Sequence, residues 1–175
     1  EYTIFPGFNC RMNEMIGAVL KVQLKKRDGL IEKMKGYSKR IREAIGEIPG
    51  VTMRRLNDPE GEIGICVMFF LESLKKVQEI STALRAEGID PGTTEDSNVP
   101  DWHIYKYWDH ILNRQGNNDS GFPFTLSDRT YSKDMCPKTI DFLERCIHID
   151  VNSLMTDNDV DEIIEGLQKI LTQLL

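Results

Sequence analysis

The sequence predicts an α+β fold, a small mixed sheet covered by helices, with a helical arm at its N-terminal side. Three observations point there. Apolar residues recur at a helical period near both ends of the chain, two runs rich in Val, Ile and Phe lie between them, and Gly, Pro, Asn and Asp mark the changes of pattern. With 175 residues, 40% of them apolar, the chain can bury one core of ordinary size.

The elements follow in order. Met12, Met15, Ile16, Val19 and Leu20 define a helix over 12–24, and Asp28-Gly29 offers a kink or break before a second helix to about Ile45. In that stretch Lys25, Lys26, Arg27 and Arg40 interleave with Leu24, Leu30, Ile31, Met34, Ile41 and Ile45, the pattern of one solvated helix face rather than a nucleic-acid patch. Pro49-Gly50 turns the chain, and 51–56 and 63–71 read as strands joined by Asn57-Asp58-Pro59-Glu60-Gly61. Ser73 caps a helix through Ala86, which Gly88 stops. Residues 90–135, rich in Gly, Asn, Asp and Ser with aromatics among them, read as a long functional loop. Pro137 opens a helix to Arg145, a short strand covers 146–150, and Thr156 with Asp159 starts a last amphipathic helix. Its buried face is Val160, Ile163, Ile164, Leu167, Ile170 and Leu171. The expected division is a helical arm over 1–47 and an α+β body over 48–175.

Several function classes recede on composition. A net charge of −6 and a pI near 5.1 oppose binding to nucleic acid or an anionic membrane, and no apolar run nears the ~20 residues of a membrane span. Cys10, Cys66, Cys136 and Cys146 are scattered, and His103, His110 and His148 lack zinc-ligand spacing, so no metal site is expected and a reduced, cytoplasmic protein is. Cys66 and Cys146 read as core, and Cys136 before Pro137 suits a helix start. His148, between Ile147 and Ile149, reads as structural.

Two segments carry chemistry. Gly7-Phe8-Asn9-Cys10-Arg11-Met12 sets a glycine, an amide and a guanidinium just before a helix, where unpaired N–H groups, Asn9 and Arg11 could together hold a phosphate or carboxylate. The plainer reading makes Asn9 a local cap and Arg11 a solvated cation. In Trp102-His103-Ile104-Tyr105-Lys106-Tyr107-Trp108-Asp109-His110, aromatic rings suit the face of a sugar while imidazole and ammonium groups donate hydrogen bonds. His103, Tyr105, Trp108 and His110 are the candidate substrate contacts. The alternative is that these aromatics anchor a long loop to the body.

The first of these motifs, the helix ending Gln23-Leu24, the basic helix after it, Gly88-Ile89, Cys136-Pro137, Glu144-Arg145, Met155-Thr156 and Asp159-Val160 occur in an order that resembles the C-terminal region of the DegT/DnrJ/EryC1/StrS family, the pyridoxal-phosphate-dependent sugar aminotransferases. Cys10 departs from the aromatic residue usual in that motif. The resemblance implies the small domain of the fold-type I aminotransferase fold, with residues 1–47 joining it to a large cofactor-binding domain. It implies amino transfer from glutamate or glutamine to a keto sugar, pyridoxal 5'-phosphate as cofactor, and a homodimer with shared active sites. It also implies that Asn9 reaches the cofactor phosphate of the neighbouring subunit, that Arg11 holds an anionic group, and that the segment with His103 and Tyr105 lies near the substrate. The family's Schiff-base lysine precedes the Asn-x-Arg motif, and no lysine precedes Asn9 here. The chain is therefore expected to be the C-terminal part of such an enzyme, inactive alone. A non-catalytic relative acting as a sugar sensor or subunit partner, and an unrelated α+β binding module, are the alternative readings.

Overall fold

Val67, Phe69 and Leu71 alternate with Cys66, Met68 and Phe70, and a period of two sends the first set to one face of a strand. In the computed structural model, which describes residues 12–94, 101–116 and 119–175, this strand is β2 (Cys66–Phe70), and all three residues of the first set are buried. β4 (Cys146–Asp150) lies beside it with Ile149 opposite Val67 and Ile147 opposite Phe69. β1 (Thr52–Met53) flanks β2 and β3 (Gly92–Thr93) flanks β4, giving the order β1-β2-β4-β3.

Every pairing among these strands is antiparallel, which corrects the expected mixed sheet. The reason lies in strand order. α3 (Leu74–Ala86) carries the chain back so that β3 runs in the direction of β2, but β4 inserts between them and opposes both. The β1 strand is shorter than 51–56, although Arg54 N–H still donates to Met68 O at 3.0 Å. β3 lies within the 90–135 stretch expected as loop.

Two helices precede the sheet, α1 (Glu14–Leu24) and α2 (Arg27–Ile45). The break between them falls at Lys25-Lys26, not Asp28-Gly29: the Lys25 and Lys26 N–H groups donate three residues back, to Val22 O and Gln23 O, and interrupt the i to i−4 ladder. No residue of α1 is buried, whereas the second half of α2 buries Tyr37, Ser38, Ile41 and Ile45. α2, α3 and α6 (Asp157–Leu174) cover the buried face of the sheet, where Ile41, Ile45, Val77, Ile80, Leu84, Val160, Leu167 and Leu171 meet Val67, Phe69, Ile147 and Ile149. Each such side chain contributes about 1.5–3 kcal/mol by leaving water. Ile163 and Ile164 are half-buried against this core, as the α6 pattern predicts.

The helix ends are built as the sequence suggests. Ser73 Oγ accepts from Lys76 N–H, and Gly88 ends α3 with φ +84°. Thr156 and Asp159 form a reciprocal capping box on α6. Arg40 ties α2 to α6 through Asp157 at 2.8 Å and Asp161 at 2.5 Å. The second face of the sheet carries Met68, Phe70, His148 and Cys66, the last half-buried rather than in the core. There α5 (Pro137–Glu144) packs Phe142 edge-on to Phe70 at 5.6 Å between ring centroids.

Candidate functional site

Asn9 and Arg11 lie outside the described residues. The cap of α1 is filled by Asn13, whose Oδ1 accepts Ile16 N–H at 2.9 Å, so Asn9 is not needed for that task.

The aromatic segment is described from Asp101 onward, as a 3-10 turn at Tyr105–Tyr107 followed by α4 (Asp109–Leu112). Ile104 anchors it, buried to 6% exposure. Asp101 Oδ1 accepts the backbone N–H of His103 at 3.0 Å and lies 2.8 Å from His103 Nδ1, which leaves Nε2 facing outward on an exposed ring. Burial pushes the Asp101 carboxyl up, but hydrogen bonds from His103 and the nearby His103 and His148 imidazoles outweigh it and hold the group below the usual carboxylate range. Trp108 donates its indole N–H to Trp102 O at 2.6 Å. Tyr105 donates to Lys133 O at 2.6 Å and accepts Cys136 N–H at 3.0 Å, and His110 sits exposed on α4. The four candidate residues thus share one segment, but no hydrogen bond joins any two of them among the described residues.

Further on, a residue that the sequence reading passed over organises the rest of this region. Arg114, with φ +54°, donates to Arg129 O at 2.6 Å, to Ser127 O at 2.5 Å and to Phe124 O. One planar guanidinium thereby closes the turn around the 3-10 segment Phe124–Leu126. Its only signal in sequence is an arginine ahead of a loop rich in carbonyl-exposing Gly, Asn and Ser.

The Cys66 and Cys146 thiols are not poised as nucleophiles. Burial pushes Cys146 up to about 11, and burial also raises Cys66, against the opposing charge of Arg54. No group of three or more metal-ligating side chains occurs among the described residues, and none of the described helices is long and apolar enough to cross a membrane.

A groove of about 620 Å³ lies between α2 and residues 56–64. Its cations are already engaged: Lys35 Nζ donates to Glu60 O at 2.7 Å, Lys39 pairs with Glu43 at 3.7 Å and Arg42 donates to Arg54 O at 3.1 Å. Glu32, Glu43, Glu60 and Glu62 line the same walls, a donor set unsuited to a phosphate dianion. A pyridoxal phosphate site needs a Schiff-base lysine, an acid for the pyridinium nitrogen and donors for the phosphate. The lining of this groove does not assemble that set.

Residues 1–117 match the DegT/DnrJ/EryC1/StrS aminotransferase family. The chain belongs to that family. Among solved structures it is similar to a protein described as a sugar aminotransferase, Spr1654 of Streptococcus pneumoniae, in its PMP form, with TM-score 0.67 and 18% identity over 98% of this chain and 38% of that one. Helicobacter pylori PseC, an aminotransferase involved in the biosynthesis of pseudoaminic acid, matches with TM-score 0.64 and 16% identity over 98% and 41%. The sugar aminotransferase CalS13 of Micromonospora echinospora matches with TM-score 0.61 and 16% identity over 93% and 37%. At these identities the likeness establishes the fold. The chain spans about two-fifths of the length of these structures.

Proposed function

We propose that this chain is the C-terminal part of a pyridoxal-phosphate-dependent aminotransferase that moves an amino group from glutamate or glutamine to the keto carbon of a sugar. The observation that carries this reading is the family match over residues 1–117, which includes the whole Gly7-to-Met12 motif and the aromatic segment. The fold-level likeness to sugar aminotransferases, among them PLP and PMP forms, supports it. In this reading residues 1–47 join a large cofactor-binding domain, residues 48–175 are the small domain, and the enzyme is a cytoplasmic homodimer with shared active sites. Pyridoxal phosphate supplies the electron sink for the amino transfer, and its lysine lies outside this chain. The protein's own contribution here is binding. Asn9 donates to the cofactor phosphate of the partner subunit, Arg11 holds an anionic group of donor or substrate, and the segment with His103, Tyr105, Trp108 and His110 borders the sugar. The residues 1–175 alone are expected to be inactive.

The test is cofactor retention in the full-length enzyme. A hydrogen bond to a charged group is worth roughly 1.5–3 kcal/mol, so Asn9→Ala should weaken pyridoxal phosphate binding about ten- to a hundredfold. Asn9→Asp should be worse, because it sets a carboxylate against the phosphate. Absorbance of retained cofactor on dilution measures both, with thermal unfolding of the apo forms as control. Unchanged retention in Asn9→Asp would remove the phosphate role.

A further inference from the structure

Three consecutive side chains of the Tyr105–Tyr107 turn bind three separate pieces of the molecule. Tyr105 holds the approach to α5 through Lys133 O and the Cys136 N–H. Lys106, its side chain only 14% exposed, lies 3.5 Å from Glu144 at the far end of α5 and sits over the Tyr107 ring. Tyr107 donates to Thr94 O at 3.3 Å, just after β3, and Thr94 itself donates to Leu143 O at 2.8 Å. The turn therefore clasps α5 at both ends and the edge of the sheet. Trp108 then folds its indole N–H back onto the Trp102 carbonyl. Facing outward on the segment are the Trp102 ring, 65% exposed, with His103 and His110, while Trp108 is less open at 37%.

From this arrangement we infer that Tyr105 is a positioning residue and that Trp102 and His103 are the groups that meet the sugar. The inference rests on the reading that this segment borders the substrate. The one proton of the Tyr105 hydroxyl is committed to a carbonyl and one of its lone pairs to an amide, so the hydroxyl can donate to a sugar only by breaking the clasp, and otherwise offers it a single remaining acceptor site, weakened by conjugation with the ring. The Trp102 side chain is the more exposed of the two tryptophans, and His103 is oriented by Asp101 with Nε2 outward. A pyranose ring can stack on the former while a ring hydroxyl bonds the latter.

The experiment uses the full-length enzyme and two readouts. Tyr105→Phe keeps the ring and removes both hydrogen bonds, so limited proteolysis without substrate should cut within 101–135 roughly tenfold faster, with an unchanged cooperative melt. The two halves of the reaction are then separated. Conversion of the cofactor to its amino form by glutamate, followed by absorbance, should be unchanged in Tyr105→Phe. Turnover of whichever of a panel of nucleotide-linked keto sugars the wild type accepts should fall about tenfold in kcat/KM. Trp102→Ala should raise the KM for that sugar about tenfold with wild-type proteolysis. Wild-type proteolysis in Tyr105→Phe together with lost sugar turnover would make Tyr105 a direct ligand and overturn the inference. Equal loss in both half-reactions would overturn it as well, leaving a purely structural residue. A wild type that transaminates none of these sugars would remove the positioning role together with the enzyme reading, while proteolysis would still decide the clasp.

Discussion

Gly92 and His148 face each other across the β3–β4 pair so closely that a methyl group on Gly92 would lie 1.9 Å from His148 Nε2. The imidazole occupies the space a side chain would need. Gly92→Ala must push the ring aside or open the last pairing of the sheet, at a cost of about 1–3 kcal/mol. In a His148→Ala background the same change should cost under about 0.5 kcal/mol, and that non-additivity, measured by denaturant unfolding of the four proteins, is the signature of a direct contact.

Gly64 and Gly36 should respond in opposite directions. Gly64 has φ +72°, and a Cβ there would meet backbone atoms of Met34 and Lys35 in α2 at 2.7–2.9 Å, with no flexible side chain to yield. Gly64→Ala is expected to cost about 3 kcal/mol or more. Gly36 lies inside α2 with nothing within 4 Å of its would-be Cβ, so Gly36→Ala should stabilise by about 0.5–1 kcal/mol. Thermal unfolding of the two variants beside the wild type checks both signs.

Much of this contrast could not be read from the sequence, and the reasons are physical. α3, α5 and α6 were legible because their ends carry local signals: Ser73, Pro137 after Cys136, and the Thr156–Asp159 box. β4 was legible from alternation. β3 was not, since Gly92-Thr93 is two residues long and owes its strand character to pairing with residues 147 and 148. The break at Lys25-Lys26 was hidden because lysine is a good helix former. Among the candidate residues, the Gly7-to-Met12 motif is visible through family resemblance, whereas the Tyr105 contact with Lys133, 28 residues away, and the Arg114 carbonyl cluster exist only once the chain is folded.

Cys146 predicts an alkaline weakness. Burial raises its thiol to about 11 against an ordinary value of 9.0, so the folded state keeps the proton longer than the unfolded chain. Between about pH 9 and 11 the unfolded state binds fewer protons, and stability falls as pH rises, by the order of 1–2 kcal/mol. A urea series across that range should show the loss in wild type and a flatter profile in Cys146→Ala. Brief iodoacetamide treatment at pH 8 should label exposed Cys136 and spare Cys146, as peptide mass spectrometry would show.

The capping box predicts the opposite behaviour in acid. Thr156 donates from its backbone N–H at 2.7 Å and its hydroxyl at 2.9 Å to Asp159 Oδ2, and those two bonds hold the carboxyl below its usual 3.8. A depressed folded value stabilises above the unfolded value and is lost as pH falls through the folded one. Asp159→Asn should therefore flatten the acid limb of the stability profile below pH 4. Thr156→Ala should cost about 1 kcal/mol at neutral pH, measured by urea unfolding.

Both borders of the sheet, Thr52–Met53 and Gly92–Thr93, are two residues long. Among the described residues, a strand from another molecule would find only a short ladder at either border, which disfavours edge-to-edge pairing of the folded domain. Self-association of the folded protein should therefore run through side-chain surfaces and dissolve on dilution, without the cross-β signal that a thioflavin assay detects.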